Sequence, residues 1–450
     1  MIDPNLLIHE SDRAALSALK AIPGFTQVTK TFMKEWNEKQ YRILNMSGRV
    51  RISEKQLPKY WHMLEEVAAK LEMKTPDLYL EQNVYPNAYT YGENEPFIVI
   101  TSGLLDVLPD ELIPTVLAHE CGHILCHHVL YRTIGSVILN GALGGLSILT
   151  AGLGSLLSVP LQMAFAYWMR CSEFSADRVA VLADGNSDKM VEVCMRLAGY
   201  SKFIDDEASR EEFMKQALEY KEYIGDSAVN RSMEFMILSR QSHPLTAVRA
   251  YEADAWMHSD AFGNLLTYLD EEKNGLPHTL IPFEKDARSF VGRNADTVEQ
   301  ELRELGFTEI RRNRSIEKAN TGRGDILRFS IDGKDDFKEC SWFAKDSVVE
   351  FDYYQPLSEE EERAFHPNEI RMPQSEHYYS GKDYKDVYIA LSQLGFHSIQ
   401  VERVADLRST FFTKENTVIR VLIGGKTFDK GEWYDPEAPV LITYHALIRN

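Results

Sequence analysis

The sequence predicts an α+β protein: a mainly α-helical N-terminal domain with a small β-sheet, followed by two small α+β repeat modules. Three observations predict this organisation. Through the first 258 residues, apolar side chains recur mostly at helical spacing, with a few short strand-like segments among them. The C-terminal third contains an internal duplication. The chain has 450 residues, which is more than one ordinary core organises and favours two or three domains.

The composition is that of a folded, acidic protein. Hydrophobic residues make up 44% and charged residues 26%, and the net charge is −19. A chain this acidic lacks the clustered Lys and Arg that nucleic acids or anionic lipids attract, so we expect no nucleic-acid partner. The five cysteines form no Cys-x-x-Cys pair, which favours a reducing compartment. Because no signal-peptide pattern opens the chain, we expect a location on the cytoplasmic side.

The N-terminal domain shows its elements in a clear order. Residues 57–73 have apolar positions at helical spacing, and Pro76 ends that pattern. Residues 78–80, 89–91 and 97–101 are strand-like, with turn residues between them. One helix is then predicted from Asp110 to about Arg132, with acidic residues at its positive N-terminal end.

Residues 134–169 form a long apolar segment without a charged side chain. Two membrane crossings and a turn need roughly 40 residues, so the segment is slightly short for a full hairpin. A single crossing would separate its two flanks, which the site described below requires on the same side. Two alternatives stay open: a helical hairpin buried in the protein or in an oligomer, and a shallow hairpin associated with a thin membrane.

The duplication covers two modules of similar length. Six apolar or glycine positions of the first copy fall on the same residue types in the second: Val298, Leu302, Leu305, Gly306, Phe307 and Ile310 match Val387, Leu391, Leu394, Gly395, Phe396 and Ile399. Each copy is predicted to form a helix, a glycine turn and several strands. The predicted domains are 1–258, 282–356 and 377–450, with linkers at 259–281 and 357–376.

Residues 116–125 are predicted to contain the catalytic site. His119, Glu120 and His123 form a His-Glu-x-x-His pattern there on a predicted helix. Positions i and i+4 share a helix face, so both imidazoles can reach one Zn²⁺ at about 2.0–2.1 Å. Glu120 is offset from that face and can take a proton from the activated water without binding the metal. Glu120 is the only charged residue from Leu112 to Leu130, which favours a site over incidental histidines.

A catalytic zinc site needs a third protein ligand and one open position. His127 continues the spacing, but a straight helix spreads the three histidines over about 12 Å, too far for one ion. We therefore assign His127 and His128 to packing or to support of a ligand. Glu173 and Asp177 also stand at i, i+4, so one can bind the metal while the other holds a histidine; the alternative is an exposed acidic face.

Four motifs occur in a fixed order along the chain. Asn87-Ala88-Tyr89 precedes the site helix; Thr101-Ser-Gly-Leu-Leu leads into His119-Glu120-Cys-Gly-His123; Glu173-Phe-Ser-Ala-Asp177 follows; and His243-Pro244 comes six residues before Arg249. In these motifs the chain resembles the M48 family of zinc metallopeptidases, which includes HtpX-like enzymes, over residues 10–255.

The resemblance implies a zincin-type metallopeptidase domain with one Zn²⁺ per chain and a polypeptide substrate. It implies Glu173 as the third ligand and Asp177 as the partner of a ligand histidine. It places Asn87, Ala88 and Tyr89 along the substrate backbone. It also gives His243 and Arg249 catalytic places facing the cleft, where a donor would stabilise an oxyanion.

Two features depart from the family pattern. HtpX-like members have N-terminal membrane spans, and the pattern of residues 1–75 leads us to expect none there. Cys121 replaces the commoner leucine after the first ligand histidine and its glutamate. The duplicated modules resemble, through a Leu-Gly-Phe turn and a final strand, PASTA-like domains of bacterial extracytoplasmic proteins, which implies binding modules.

Three hypotheses follow. The first is an active zinc endopeptidase of a quality-control type, which cuts unfolded or membrane-proximal chains. The second is a catalytically silent or regulatory scaffold whose C-terminal repeats bind a ligand or partner. The third is a zinc hydrolase with a non-peptide substrate. The intact set of His119, Glu120, His123 and Glu173 favours the first, because a silent relative is expected to lose one of them.

Overall fold

The computed structural model describes residues 2–35, 38–92, 94–140, 159–199, 207–225, 245–316, 322–338, 341–407 and 414–448, together with residues 204, 227, 230, 233, 234 and 237. These residues group into two compact units. The first is Met1–Asn313 with Ile326–Asp352, and the second is Arg314–Asp325 with Tyr353–Asn450. The first unit thus includes most of the first predicted module.

The first unit is built mainly from helices. In chain order they include α1 (Glu10–Ala21), α2 (Phe25–Glu35), α3 (Glu38–Gly48), α4 (Pro58–Lys70), α5 (Ser102–Val107), α6 (Ile113–Leu125), α7 (Val129–Asn140), α8 (Val159–Asp184), α9 (Asp188–Ala198), α10 (Arg210–Gly225), α11 (Thr246–Met257), α12 (Asp260–Lys273) and α13 (Ala295–Leu305). Helix α6 packs against α8, and α8 also packs against α1 and α11. The candidate site lies where α6 meets α8.

A small sheet lies beside α6. Its strands are β1 (Val50–Ile52), β2 (Asp77–Glu81), β3 (Ala88–Tyr91) and β4 (Phe97–Thr101), in the order β1-β2-β4-β3. Strands β2 and β4 run parallel, whereas β3 is antiparallel to β4. Ile98 and Ile100 of β4 share a buried core with Leu117 and Ala118 of α6. This packing holds the edge strand β3 next to the site helix.

The single helix predicted for residues 110–132 is wrong, because the chain breaks after α6. His127 adopts a left-handed backbone with φ 57°. The His127 N–H then donates to Ile124 O, and the His128 N–H donates to His123 O at 2.9 Å. This pair of bonds is the Schellman arrangement that closes many helix C-termini. The next helix, α7, starts at Val129 in a new direction, with His127 exposed and His128 buried.

The predicted apolar hairpin is described only at its two ends, since residues 141–158 lie outside the described residues. Ile134 of α7 and Leu161, Phe165 and Trp168 of α8 are buried together with Leu19 of α1. No helix in the described ranges combines the length and the apolar content needed to cross a membrane. Both ends of the segment therefore belong to a packed helical core.

Two segments of the C-terminal third share one order of elements. The first contains β5 (Leu280–Phe283), α13, β6 (Glu309–Ser315), β7 (Ile326–Ile331), β8 (Ser341–Ala344) and β9 (Val348–Tyr354). The second, which follows helix α14 (Glu359–Phe365), contains β10 (Ile370–Arg371), α15 (Tyr384–Leu394), β11 (Ile399–Leu407), β12 (Val418–Ile423), β13 (Trp433–Tyr434) and β14 (Val440–Leu447). The three-stranded sheets have the matching orders β6-β9-β7 and β11-β14-β12.

Matching glycines end the helices of these two segments. Gly306 after α13 and Gly395 after α15 have φ 106° and 113°, which an L side chain rarely adopts. A buried phenylalanine follows each of these glycines: Phe307 follows Gly306, and Phe396 follows Gly395. Helices also form inside both segments predicted as linkers: α12 within 259–281, where Phe262 and Leu265 are buried, and α14 within 357–376.

Candidate metal centre

Helix α6 presents His119, Glu120 and His123 in the interior, where all three are almost fully buried. The helix approaches α8 closely because Gly122 lies at the contact. A Cβ atom on Gly122 would stand 2.9 Å from Cα of Ala176, a distance that real Cβ contacts essentially never show. The missing side chain therefore sets the spacing between the two helices.

Helix α8 brings Glu173 between the two histidines. His119 Nε2 lies 3.5 Å from Glu173 Oε2, and His123 Nε2 lies 3.4 Å from Glu173 Oε1. The two imidazole rings stand edge to face, with centroids 4.8 Å apart. One ligand atom from each of the three residues lies within 4.8 Å of the other two. Two histidines and one carboxylate form a donor set that suits a catalytic zinc ion.

The other ring nitrogen of each histidine has its own partner. His119 Nδ1 lies 2.8 Å from Asp177 Oδ1, and His123 Nδ1 lies 3.0 Å from Nδ1 of His128. With Nδ1 engaged on both rings, each Nε2 is directed towards Glu173. This arrangement fits a metal, because ligand histidines usually bind through one nitrogen and are oriented through the other.

Arg249 lies behind His119 and Glu173, two of the candidate ligands. Its Nε and Nη2 donate to Asp177 Oδ2 and Oδ1 at 2.8 and 2.6 Å, and its Nη1 lies 3.1 Å from Glu173 Oε2. The residue is only 3% exposed. These contacts orient the carboxylates of Asp177 and Glu173. The predicted role of Arg249 as an oxyanion donor stays a prediction.

Arg132 of α7 reaches the same glutamate. Its Nη1 donates to Glu173 Oε1 at 2.5 Å and to Ser172 Oγ at 2.9 Å. Arg132 is not among the site residues predicted above, although the sequence contains a signal for it. It is the only charged residue from Cys121 to Met169. A lone charge in such a long uncharged run indicates a buried partner.

The burial of these groups shifts their pKa values. Burial and the charge of Arg249 act to lower the pKa of His119, but the hydrogen bond to Asp177 and the nearby carboxylate of Glu173 outweigh them and raise it to about 9. For His123, burial lowers the pKa well below its usual range, helped by the charge of Arg132. Burial acts to raise the pKa of Asp177, yet the charge and hydrogen bonds of Arg249 hold it below its usual value.

Glu120 is held by the edge strand. Thr90 Oγ1 donates to Glu120 Oε2 at 2.7 Å, and both side chains are buried. Thr90 lies at the third position of β3 and was not singled out from the sequence. Its hydrogen bond ties the carboxylate to the strand that borders the site, which restricts the rotation of Glu120.

The residues predicted to line the substrate lie on or next to β3. The Asn87 N–H donates to Thr101 Oγ1 at 2.9 Å, and Ala88 is buried in the core. Tyr89 Oη donates to Glu81 Oε2 at 2.6 Å. Among the described strands, β3 pairs only with β4, so its second edge is directed away from the sheet. The predicted contact of Asn87, Ala88 and Tyr89 with a substrate stays a prediction.

His243 lies outside the described residues, so its predicted catalytic role also stays a prediction. His119, His123, Glu173, Asp177 and Arg249, in contrast, converge at one point in the structure, and Glu120 follows His119 on α6.

Comparison with known proteins identifies similar chains. The model of peptidase family M48 matches residues 55–257. The plastoglobule-localized metallopeptidase 48 of Arabidopsis thaliana chloroplasts is 31% identical over 271 residues, which cover 59% of this chain and 76% of that relative. A protease HtpX homologue of Methylibium petroleiphilum is 27% identical over 189 residues, covering 37% of this chain and 66% of the homologue. An HtpX homologue of Aquifex aeolicus is 34% identical over 118 residues, covering 26% and 38%.

Proposed function

The chain belongs to the M48 family of metallopeptidases, and from this membership we propose that it is a zinc-dependent endopeptidase. In this proposal His119, His123 and Glu173 hold one zinc ion per chain, and Glu120 is the general base. The observation that carries the proposal is the convergence of three ligand atoms within 4.8 Å, on side chains whose orientation is fixed from behind.

Zinc in such a site supplies Lewis-acid chemistry, because it polarises a carbonyl and makes water a better nucleophile at neutral pH. Glu120 would accept the proton of the attacking water and pass it to the leaving amine. Thr90 holds Oε2 of that carboxylate and so limits its orientations. Asp177 and Arg249 keep His119 and Glu173 in place.

The substrate class follows from the edge strand. A peptide that adds to the outer edge of β3 must be extended, because strand addition uses backbone hydrogen bonds. The strand contacts Glu120 through Thr90, so a peptide bound there lies next to the base. We therefore propose unfolded or locally extended polypeptides as substrates, which agrees with a role in protein quality control.

The decisive experiment measures zinc content and casein hydrolysis for the wild type, Glu120→Gln and a control, Glu111→Gln. Glu111 is an exposed glutamate just before α6. We expect about one zinc per chain in all three proteins. Glu120→Gln should lose activity by a factor on the order of 10² or more, because a general base contributes that much. Glu111→Gln should match the wild type.

Other outcomes separate the alternatives. Zinc-free wild-type protein would overturn the proposal and favour the scaffold hypothesis. Activity that survives in Glu120→Gln would exclude Glu120 as the base. A zinc-loaded wild type that cleaves small esters but neither casein nor unfolded chains would favour a hydrolase with a non-peptide substrate.

A further inference from the structure

His128 connects a proposed metal ligand to a buried carboxylate on the first helix. Its Nδ1 lies 3.0 Å from His123 Nδ1, and its Nε2 lies 2.9 Å from Asp12 Oδ2. Asp12, His123 and His128 are each at most 2% exposed. Asp12 belongs to the first turn of α1 and lies outside residues 55–257, which the family model matches.

Asp12 is also held by the helix that carries Glu173. Trp168 Nε1 donates to Asp12 Oδ1 at 2.8 Å, and Ser175 Oγ donates to Asp12 Oδ2 at 2.6 Å. Both donors lie on α8. Burying a carboxylate costs free energy unless it is paired and hydrogen-bonded, and an apolar side chain would avoid this cost. The charge at position 12 therefore calls for a role beyond packing α1 onto α8.

The arrangement of donors and acceptors supplies that role. His123 Nε2 is the nitrogen that faces Glu173, so it must keep its lone pair for a metal, and the ring proton must be on Nδ1. His123 Nδ1 then donates to His128 Nδ1, which must accept. The proton of His128 is consequently on Nε2, opposite Asp12, which as a carboxylate only accepts.

The reverse assignment of the ring protons is unfavourable at both ends of the series His123–His128–Asp12. If His128 Nδ1 donated to His123, the proton of His123 would be on Nε2, directed at the metal position. In a neutral His128 ring, Nε2 would then hold a lone pair and face the Asp12 carboxylate, so that two acceptors would oppose each other. The negative charge of Asp12 thus selects the tautomer of both imidazoles.

We propose that Asp12 and His128 are positioning residues for the metal: Asp12 fixes the tautomer of His128, and His128 holds His123 in the tautomer and orientation that bind zinc. The inference rests on the proposed zinc site. It gives His123 a support that parallels the one His119 receives from Asp177 and Arg249. It also couples the docking of α1 to retention of the metal.

The test uses the full chain loaded with zinc. The rate of zinc loss to an excess of a colorimetric chelator is measured for the wild type, Asp12→Asn, His128→Leu, His128→Gln and Ser175→Ala. The visible spectrum of the cobalt-substituted proteins reports the geometry of the ligands. Thermal unfolding of the metal-free proteins reports whether each variant folds.

We expect Asp12→Asn and His128→Leu to lose zinc roughly 10–100 times faster than the wild type, the usual effect of removing a partner of a ligand histidine. His128→Gln should recover most of this loss, because its amide can accept from His123 and donate to Asp12. Ser175→Ala also loses a hydrogen bond to Asp12 but leaves the contacts of His128 with His123 and Asp12 intact. Its zinc loss should stay within about twofold of wild type, even if its thermal stability falls.

Two results would overturn the inference while the proposed function stands. One is wild-type zinc loss in both Asp12→Asn and His128→Leu. The other is equal acceleration in Ser175→Ala, which would show that general loosening of α1 explains the effect. If Asp12→Asn does not fold, the comparison of His128→Leu with His128→Gln still decides. A wild type that binds no zinc would overturn the proposed function and this inference together.

Discussion

Arg249 and Asp177 form a two-point ion pair behind His119 and His123, two of the proposed metal ligands. Nε of Arg249 donates to Oδ2 at 2.8 Å, and Nη2 donates to Oδ1 at 2.6 Å. Oδ1 of Asp177 in turn lies 2.8 Å from Nδ1 of His119. The guanidinium of Arg249 therefore orients the carboxylate of Asp177, and that carboxylate orients the imidazole of His119.

Arg249→Lys tests this relationship. Lysine keeps the charge but cannot reproduce two parallel hydrogen bonds, so Asp177 should lose its fixed orientation. We expect zinc affinity to fall roughly tenfold and the free energy of unfolding to fall by about 2 kcal/mol. Chelator competition and urea unfolding measure these quantities. Unchanged zinc affinity with a large fall in kcat would instead support the predicted oxyanion role of Arg249.

Glu173→Ala removes the proposed third ligand. Zinc affinity should fall by more than the roughly 10–100-fold that the loss of a supporting residue costs. The protein should also be less stable, because Arg132 and Arg249 lose a buried carboxylate partner. Glu192→Ala is the control, since Glu192 pairs with Arg196 on α9. Full zinc affinity and activity in Glu173→Ala would refute the assignment of this ligand.

Thr90 should affect turnover and not metal binding. Thr90→Val removes the hydroxyl that donates to Glu120 Oε2 but keeps the shape of the side chain. Hydrogen bonds to charged groups contribute about 1.5–3 kcal/mol, so kcat should fall roughly 10–100-fold with zinc content unchanged. Thr90→Ser should restore most of the kcat. A change confined to KM would place Thr90 in substrate binding instead.

Gly122→Ala should separate the two ligand-bearing helices. The new Cβ would meet Ala176 Cα at 2.9 Å and Val179 Cβ at 3.0 Å, so α6 must move away from α8. Overpacking of this kind costs about 1–3 kcal/mol, and zinc affinity should fall with it. Gly263→Ala is the matched control, because nothing lies within 4 Å of the added atom. A Gly122→Ala variant with wild-type stability and zinc affinity would contradict the proposed close contact.

Acid should weaken the contact between α11 and the N-terminal segment. The contact with His9, whose Nε2 lies 3.9 Å from Glu252 Oε2, lowers the pKa of Glu252 to about 2; burial opposes this shift, and the contact with Lys221 supports it. Because the folded pKa lies below the unfolded value of 4.5, the stability that Glu252 contributes is present above pH 4.5 and is lost as the pH falls towards 2.

Solvent screens this partly exposed pair, so the expected loss is on the order of 1 kcal/mol. Urea unfolding at a series of pH values measures it. Between pH 4.5 and 2, the free energy of unfolding of Glu252→Gln should lack the pH dependence that Glu252 contributes in the wild type. Identical slopes in the wild type and Glu252→Gln would show that this ion pair contributes nothing to folding.

Local spacing was sufficient for one part of the site and insufficient for the rest. His119, Glu120 and His123 lie within two turns of one helix, so the geometry of that helix determines their faces. His128 depends on the end of α6, where the left-handed residue is His127. Glycine usually occupies that position, so the sequence lacks the signal that would have placed the break. The predicted straight helix consequently gave no reason to prefer His128 over His127 as the residue that supports a ligand.

By itself, then, the sequence determined the family and predicted the ligand pair on α6 with its glutamate, because these depend on residues close together along the chain. Only the tertiary structure decided what holds the ligands. Asp12 and Ser175 are 163 residues apart in sequence, and Asp177 and Arg249 are 72 apart. Such contacts arise from helix packing, which no local periodicity encodes. Tertiary packing likewise placed Thr90 against Glu120 and buried Arg249 behind the carboxylates of Asp177 and Glu173.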